Sequence, residues 1–212
     1  MTIQVIIDSA QSIEIDRRKV VGQSVSRAGR IVMAERYSYV PFVLTVTPIA
    51  RFPYKIVRGI IESIQTPDRS QEQTISWSSN AGLSYITEYT GELDHATAST
   101  ITINTWTNTT ITFSNLPSVG SSTVLFKAGD WIQPTNSRYP YIITTNVLRG
   151  SSSTTTGTTH RPLLADVNPV GNMRVGTDTT MKVVVVELPT YKIVEKDFAE
   201  YTGDFKLVEV II

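Results

Sequence analysis

The chain has 212 residues, with 19 Lys and Arg against 19 Asp and Glu, and no Cys. Zero net charge argues against a protein that grips nucleic acid, because that affinity comes mostly from clustered Lys and Arg; the missing Cys excludes disulfide scaffolds, thiolate metal sites and cysteine nucleophiles. With 22 Val, 22 Ile and 29 Thr against 10 Leu and 10 Ala, side chains that are stiff at χ1 and favour the pleated strand dominate, so a mainly β protein is expected.

The N-terminal residues Met1 to Asp8 have neither a basic start nor a long apolar core, and are not expected to be a secretory signal. Ser12 to Asp16 alternates apolar and polar residues, the pattern of a half-buried strand. Arg17-Arg18-Lys19 follows and is the densest charged run of the chain. It reads as a solvated turn, as a subunit-interface or lumen-facing patch, or, more weakly on a neutral chain, as a nucleic-acid contact. Ser26 to Arg30 reads as a turn around Gly29. Val40 to Thr47 predicts a strand with Phe42, Leu44 and Val46 on one face, bounded by Pro48. After Pro53, the spacing of Ile56, Val57, Ile60, Ile61 and Ile64 predicts one amphipathic helix of about three turns, stopped by Pro67. Gln73 to Trp77 and Tyr85 to Tyr89 predict further strands.

Composition shifts from Ala96 to Ala165. This stretch is rich in Thr and Ser and holds four basic residues (Lys127, Arg138, Arg149, Arg161) against one acidic residue, Asp130. Short strands are predicted at 99–104, 109–113, 131–133, 141–145 and near 161–164, with a turn at Lys127-Ala128-Gly129-Asp130. Five short strands without a helix signal suggest a small barrel of the oligonucleotide/oligosaccharide-binding (OB) type. Ser151 to Thr159 is low-complexity and reads as a mobile loop. Beyond it, the four-valine run of 180–188 predicts a strand covered on both faces, and 204–212 predicts a final strand paired within a sheet. The longest aliphatic run, Val183 to Val186, is far short of a bilayer span. The expected organisation is one β domain with a helix, residues 1–95 plus 166–212, carrying an inserted small OB-like barrel at 96–165.

Catalytic motifs are missing: there is no G-x-S-x-G elbow, Walker A loop, H-E-x-x-H or G-x-G-x-x-G. His95 and His160 lie 65 positions apart. Glu14, Asp16 and Asp94 could supply a carboxylate pair, but nothing in the sequence brings them together. No enzyme activity, metal or cofactor is expected. Trp131 and Tyr141, with Tyr37, Tyr39 and Tyr139, could stack on sugars or single-stranded bases, or complete small cores. The first of these readings makes Trp131 and Tyr141 ligand contacts of a carbohydrate- or single-strand-binding barrel.

The segment Phe126-Lys127-Ala128-Gly129-Asp130-Trp131-Ile132, followed by Tyr139-Pro140-Tyr141-Ile142-Ile143-Thr144 and His160-Arg161-Pro162-Leu163-Leu164, resembles a stretch in tail proteins of tailed bacteriophages. It is similar in particular to the small OB-type barrel of some distal tail proteins, whose early strands, sheet strand and helix ahead of the barrel match this order. Ser26 to Arg30 and Asp68-Arg69 also resemble virion proteins of contractile-tailed phages of marine cyanobacteria. The run ending Val208-Glu209-Val210-Ile211-Ile212 departs from the pattern. The resemblance implies a virion structural protein of tail-tube-like fold. It would form a hexameric ring at the distal end of the tail tube and link it to baseplate or fibres. DNA would pass through it without specific binding, and no membrane would be involved.

Overall fold

The computed structural model describes residues 3–17, 21–25, 31–35, 40–65, 71–77, 84–164, 168–195 and 197–211. The chain is mainly β, 43% strand and 14% helix, in curled sheets. Every strand pairing in the described residues is antiparallel.

The first sheet takes strands from both ends of the chain, in the order Ala10–Asp16, Val43–Pro48, Phe205–Glu209, Thr180–Glu187, Gln73–Ser76. The C-terminal strand lies at its centre, with Leu207 opposite Leu44 on one side and Val185 on the other. That position ties down an apolar terminus that would otherwise fray. Alternation sends Leu44, Val46, Phe205, Leu207, Met181 and Val183 into one core, as a period of two requires. The same alternation corrects the valine run. Val183 and Val185 point inward, while Val186 is 48% exposed. The strand is covered on one face only, because the covering groups lie on one side. Those groups include Ile6 and Ile7 of the short helix Gln4–Asp8, Ile3 at its N-cap, and Val57 and Ile61 of helix Tyr54–Gln65.

Helix Tyr54–Gln65 has 12 residues and begins directly after Pro53, where a missing N–H costs nothing. Its buried stripe is narrower than the predicted face. Val57 and Ile61 are buried, but Ile56 is 44% exposed.

Tyr85 to Tyr89 is not a strand. A single 3-10 turn, Ser84–Ile86, leads into irregular chain. The reason lies across the molecule at Gly176, whose φ is +58°. A Cβ there would fall 2.9 Å from the Tyr89 nitrogen and 3.0 Å from the Thr87 oxygen. The 87–89 backbone therefore lies against a glycine instead of along a strand.

The second sheet has six strands, in the order Tyr141–Ile142, Trp131–Pro134, Gly171–Val175, Thr102–Thr107, Thr110–Ser114, Thr155–Thr158. It curls so far that its two edge strands touch. Ile143 bridges Thr159, Thr144 N donates to Thr158 O at 2.9 Å, and His160 N donates to Ile142 O at 3.0 Å. Ile103, Ile111, Phe113, Phe126, Ile132, Tyr141 and Val175 are buried in its core.

Two expectations change here. The low-complexity segment contains a true strand, Thr155–Thr158, paired with Thr110 to Phe113. Alternation turns Gly157 inward, where a Cβ would come within 2.7 Å of Val147 Cγ2. Threonines outside and a glycine inside are what so close an approach demands. In addition, the sheet draws its sixth strand, Gly171–Val175, from beyond the expected boundary at Ala165. No strand forms at 161–164.

Three smaller groups complete the fold: Tyr191–Val194 with Phe198–Tyr201 and Phe52–Pro53, Val124–Phe126 with Val147–Leu148, and the hairpin Val21–Val25 with Ile31–Glu35. The predicted turn at 26–30 lies outside the described residues. The turn at Lys127–Asp130 forms as expected. Gly129 has φ +107°, and the Asp130 carboxylate accepts from Lys127 N at 2.8 Å, Thr90 N at 2.8 Å and Thr90 Oγ1 at 2.7 Å. Asp130 thus fixes its own turn and the strap that leads into the second core. No described helix is long and apolar enough to cross a membrane.

Candidate functional site

The densest polar chemistry of the described residues lies at the joint between the two sheets, and it is buried. Glu209 ends the central strand of the first sheet. Alternation from Phe205 and Leu207 aims its side chain inward. Arg161 comes from the bend that follows Thr155–Thr158. Arg161 Nη1 donates to Glu209 Oε2 at 2.6 Å, and Nη2 donates to Glu209 Oε1 at 2.6 Å and to Pro140 O at 2.8 Å. Glu209 Oε2 also accepts from Phe42 N at 3.1 Å. The guanidinium lies 5.2 Å from the centroids of both the Phe42 and Tyr141 rings. A two-pronged pair of this kind fixes orientation as well as distance.

His160 stands beside it. Its Nδ1 accepts from Ile142 N at 3.0 Å, and its ring centroid is 5.2 Å from that of Phe42. Burial, then the Arg161 charge and then the Arg17 charge push its pKa from 6.5 down to about 3. The imidazole is therefore neutral in the folded chain. Its Nδ1 is already occupied and Nε2 is enclosed without a partner, so the ring serves as packing.

A pH dependence follows. The unfolded chain binds a proton at His160 below pH 6.5, whereas the folded chain does so only near 3. The stability linked to this group is complete above pH 6.5 and is lost as pH falls toward 3, at up to about 1.4 kcal/mol per pH unit. Urea midpoints at pH 7, 5.5 and 4 should fall steeply for the wild type and less steeply for His160→Gln. Parallel slopes would contradict the buried neutral imidazole.

Two further ties cross the same joint. Gln133, from the second sheet, donates through Nε2 to Thr180 O at 3.0 Å and accepts through Oε1 from Thr180 N at 2.8 Å. Trp131, also from the second sheet, stacks on Phe42 at 5.1 Å and meets Trp77 at 6.0 Å.

The residues singled out in the sequence fall as follows. Trp131 is 4% exposed and belongs to the first core; Tyr141 is fully buried in the second. The Tyr141 hydroxyl accepts from Leu164 N at 3.1 Å, and its ring meets Trp106 edge-on at 4.5 Å. Neither ring offers a face to a ligand. Arg17 is exposed at the end of the first sheet's edge strand. Arg18 and Lys19 lie outside the described residues, as do Tyr37 and Tyr39. Glu14 and Asp16 sit on that edge strand. Asp94 instead caps the short helix His95–Ala98. Its hydrogen bonds from the Thr97 hydroxyl and N–H hold its carboxyl below the usual carboxylate range. His95 Nε2 lies 3.1 Å from Val175 O and 3.5 Å from Asp178 Oδ2. Among the described residues no cluster of three His, Cys, Asp or Glu could hold a metal. A depression between Pro134, Asn136, Asn168 and Asn172 holds about 160 Å³, below the few hundred of a small-molecule site; a wider, shallow groove between Glu187, Pro189, Thr202 and Asp204 holds about 540 Å³ and is open to solvent.

Arg161 and Glu209 were the residues that sequence reading missed. The signal was present: Glu209 stands in register with the inward-facing Phe205 and Leu207, on the face opposite to Lys206, so it must face inward and must find a cation.

No protein-family model matches the chain, and no curated protein matches it. The geometry therefore carries the functional reading. It offers a tightly locked two-sheet body, and a sheet whose Ala10–Asp16 border has a strand partner on one side only among the described residues.

Proposed function

We propose that this chain is a structural subunit of a bacteriophage tail, of the distal tail type. In this reading, copies form a closed ring of six at the end of the tail tube, around the DNA channel. The ring connects the tube to baseplate or fibre proteins within the virion. The first sheet is the ring-forming, tail-tube-like part, and the curled second sheet is the small OB-like barrel carried outside it. The ring is structural and not enzymatic, and its zero net charge lets DNA pass without sticking.

The observation that carries the reading is the border of the first sheet. Ala10–Asp16 is seven residues long and, among the described residues, has a strand partner on one side only. Its inward residues Ile13 and Ile15 stay only partly buried, although their ladder partners Val46 and Leu44 are fully buried. A long border of this kind is a template for another strand, and a head-to-tail contact between copies supplies one and closes on itself. The Lys127–Asp130 turn and the strands after it supply the resemblance to distal tail proteins. The alternative, a carbohydrate- or single-strand-binding barrel, loses its support with Trp131 and Tyr141 in the cores.

Native mass spectrometry and negative-stain microscopy test the reading, on the protein alone and co-expressed with tail-tube and baseplate proteins. Rings of about six copies, or a capped tube, are expected. A monomer at every concentration and in every mixture would overturn it.

A further inference from the structure

The two ends of the first sheet differ. The Ala10–Asp16 end is long and, among the described residues, has no strand beyond it. At the other end, Ser76 stands opposite Thr180 in the ladder. The Ser76 N–H donates to Gln4 Oε1 at 2.8 Å, and the Ser76 carbonyl accepts from Gln4 Nε2 at 2.8 Å. Both backbone groups of Ser76 thus point off the sheet, as they do at alternate residues of an antiparallel edge. The Gln4 amide takes both, as the peptide group of a neighbouring strand would.

Gln4 Nε2 also donates to Asp8 Oδ1 at 2.7 Å, one helical turn on, which steadies the amide, and Gln73 Oε1 accepts from Ile3 N at 2.8 Å, which ties down the backbone just before it. The backbone that carries Gln4 is anchored separately, by Ile3, Ile6 and Ile7 in the first core. The amide can therefore leave Ser76 by side-chain rotation while the helix stays where it is.

We propose that Gln4 is a latch on the Gln73–Ser76 border. In the free subunit its amide caps the Ser76 end of that border; on assembly it swings away, and the Ala10–Asp16 border of a second copy pairs there. The inference rests on the ring reading above. A head-to-tail ring joins opposite ends of the same sheet, and a subunit with both ends open would pair before its partners were in place. One guarded end and one open end meet both requirements. Five antiparallel strands leave the first and last running in the same direction. Copies related by rotation about the ring axis therefore meet in a parallel joint, in a chain whose own described pairings are all antiparallel.

Sedimentation velocity across a concentration series tests the latch, using Gln4→Ala and the shape-conserving Gln4→Met. Both variants should keep the wild-type circular dichroism spectrum and associate at about tenfold lower concentration, since two hydrogen bonds no longer have to be broken first. Ile13→Lys at the opposite border should return both to monomers. Folded Gln4 variants that assemble at the wild-type concentration would overturn the latch and leave the ring standing. So would association that Ile13→Lys does not reverse, or loss of fold in both Gln4 variants, which would make the amide a fold-holding contact. Wild type and variants that stay monomeric throughout would overturn the ring itself.

Discussion

Arg161→Met should destabilise the folded chain by about 3–5 kcal/mol, the cost of leaving a buried charge without its counter-charge. Glu209 would keep the Phe42 N–H at 3.1 Å and would lose both guanidinium bonds at 2.6 Å. Glu209→Gln should fall in the same range, because it strands the guanidinium between the Phe42 and Tyr141 rings. The double replacement Arg161→Met with Glu209→Met should recover most of the loss, since no charge is then buried. The remainder comes from Pro140 O and Phe42 N, which lose partners at about 1 kcal/mol each. Urea unfolding of the four proteins, treated as a double-mutant cycle, measures this directly. Single variants within 1 kcal/mol of the wild type would show that the pair is not buried as described.

Trp131→Ala should cost about 3–5 kcal/mol, as for a large aromatic removed from a core. The effect should also change the shape of the transition. Trp131 and Ile142 belong to strands of the second sheet but pack in the first core, so the two sheets are expected to unfold together in the wild type. Removing the indole empties the space between Phe42 and Trp77. Calorimetry should then show the single endotherm broaden or split, because each sheet keeps its own core. An unchanged melting curve would place Trp131 at the surface, as a ligand contact would be.

Much of the fold is legible in the chain because period-two alternation is a local property. Leu44 and Val46, Phe205 and Leu207, and the Val57/Ile61 stripe of the helix all fall where their spacing puts them. The segments that were misread owe their structure to distant partners. Tyr85 to Tyr89 looks like a strand by composition, but its backbone is claimed by Gly176, almost 90 residues on. Ser151 to Thr159 looks like a solvated loop, yet Thr155–Thr158 is held by the ladder to Thr110–Ser114 and by the space that only Gly157 leaves. Trp131 and Tyr141 carry the residue types of a stacking site, and burial alone decides against it. Arg161 and Glu209, 48 positions apart, become a pair only when two sheets meet. The place of Ala10–Asp16 at one end of the first sheet, among the described residues, is a property of sheet order, which alternation within one strand does not encode.

Hydrogen–deuterium exchange on the isolated subunit and on its assembled form tests the central claim most directly. The account predicts that amides of Ala10–Asp16 and of Gln73–Ser76 slow on assembly, while those of the central strand Phe205–Glu209 are protected in both states. An assembled form in which both borders exchange as fast as in the free subunit would contradict it.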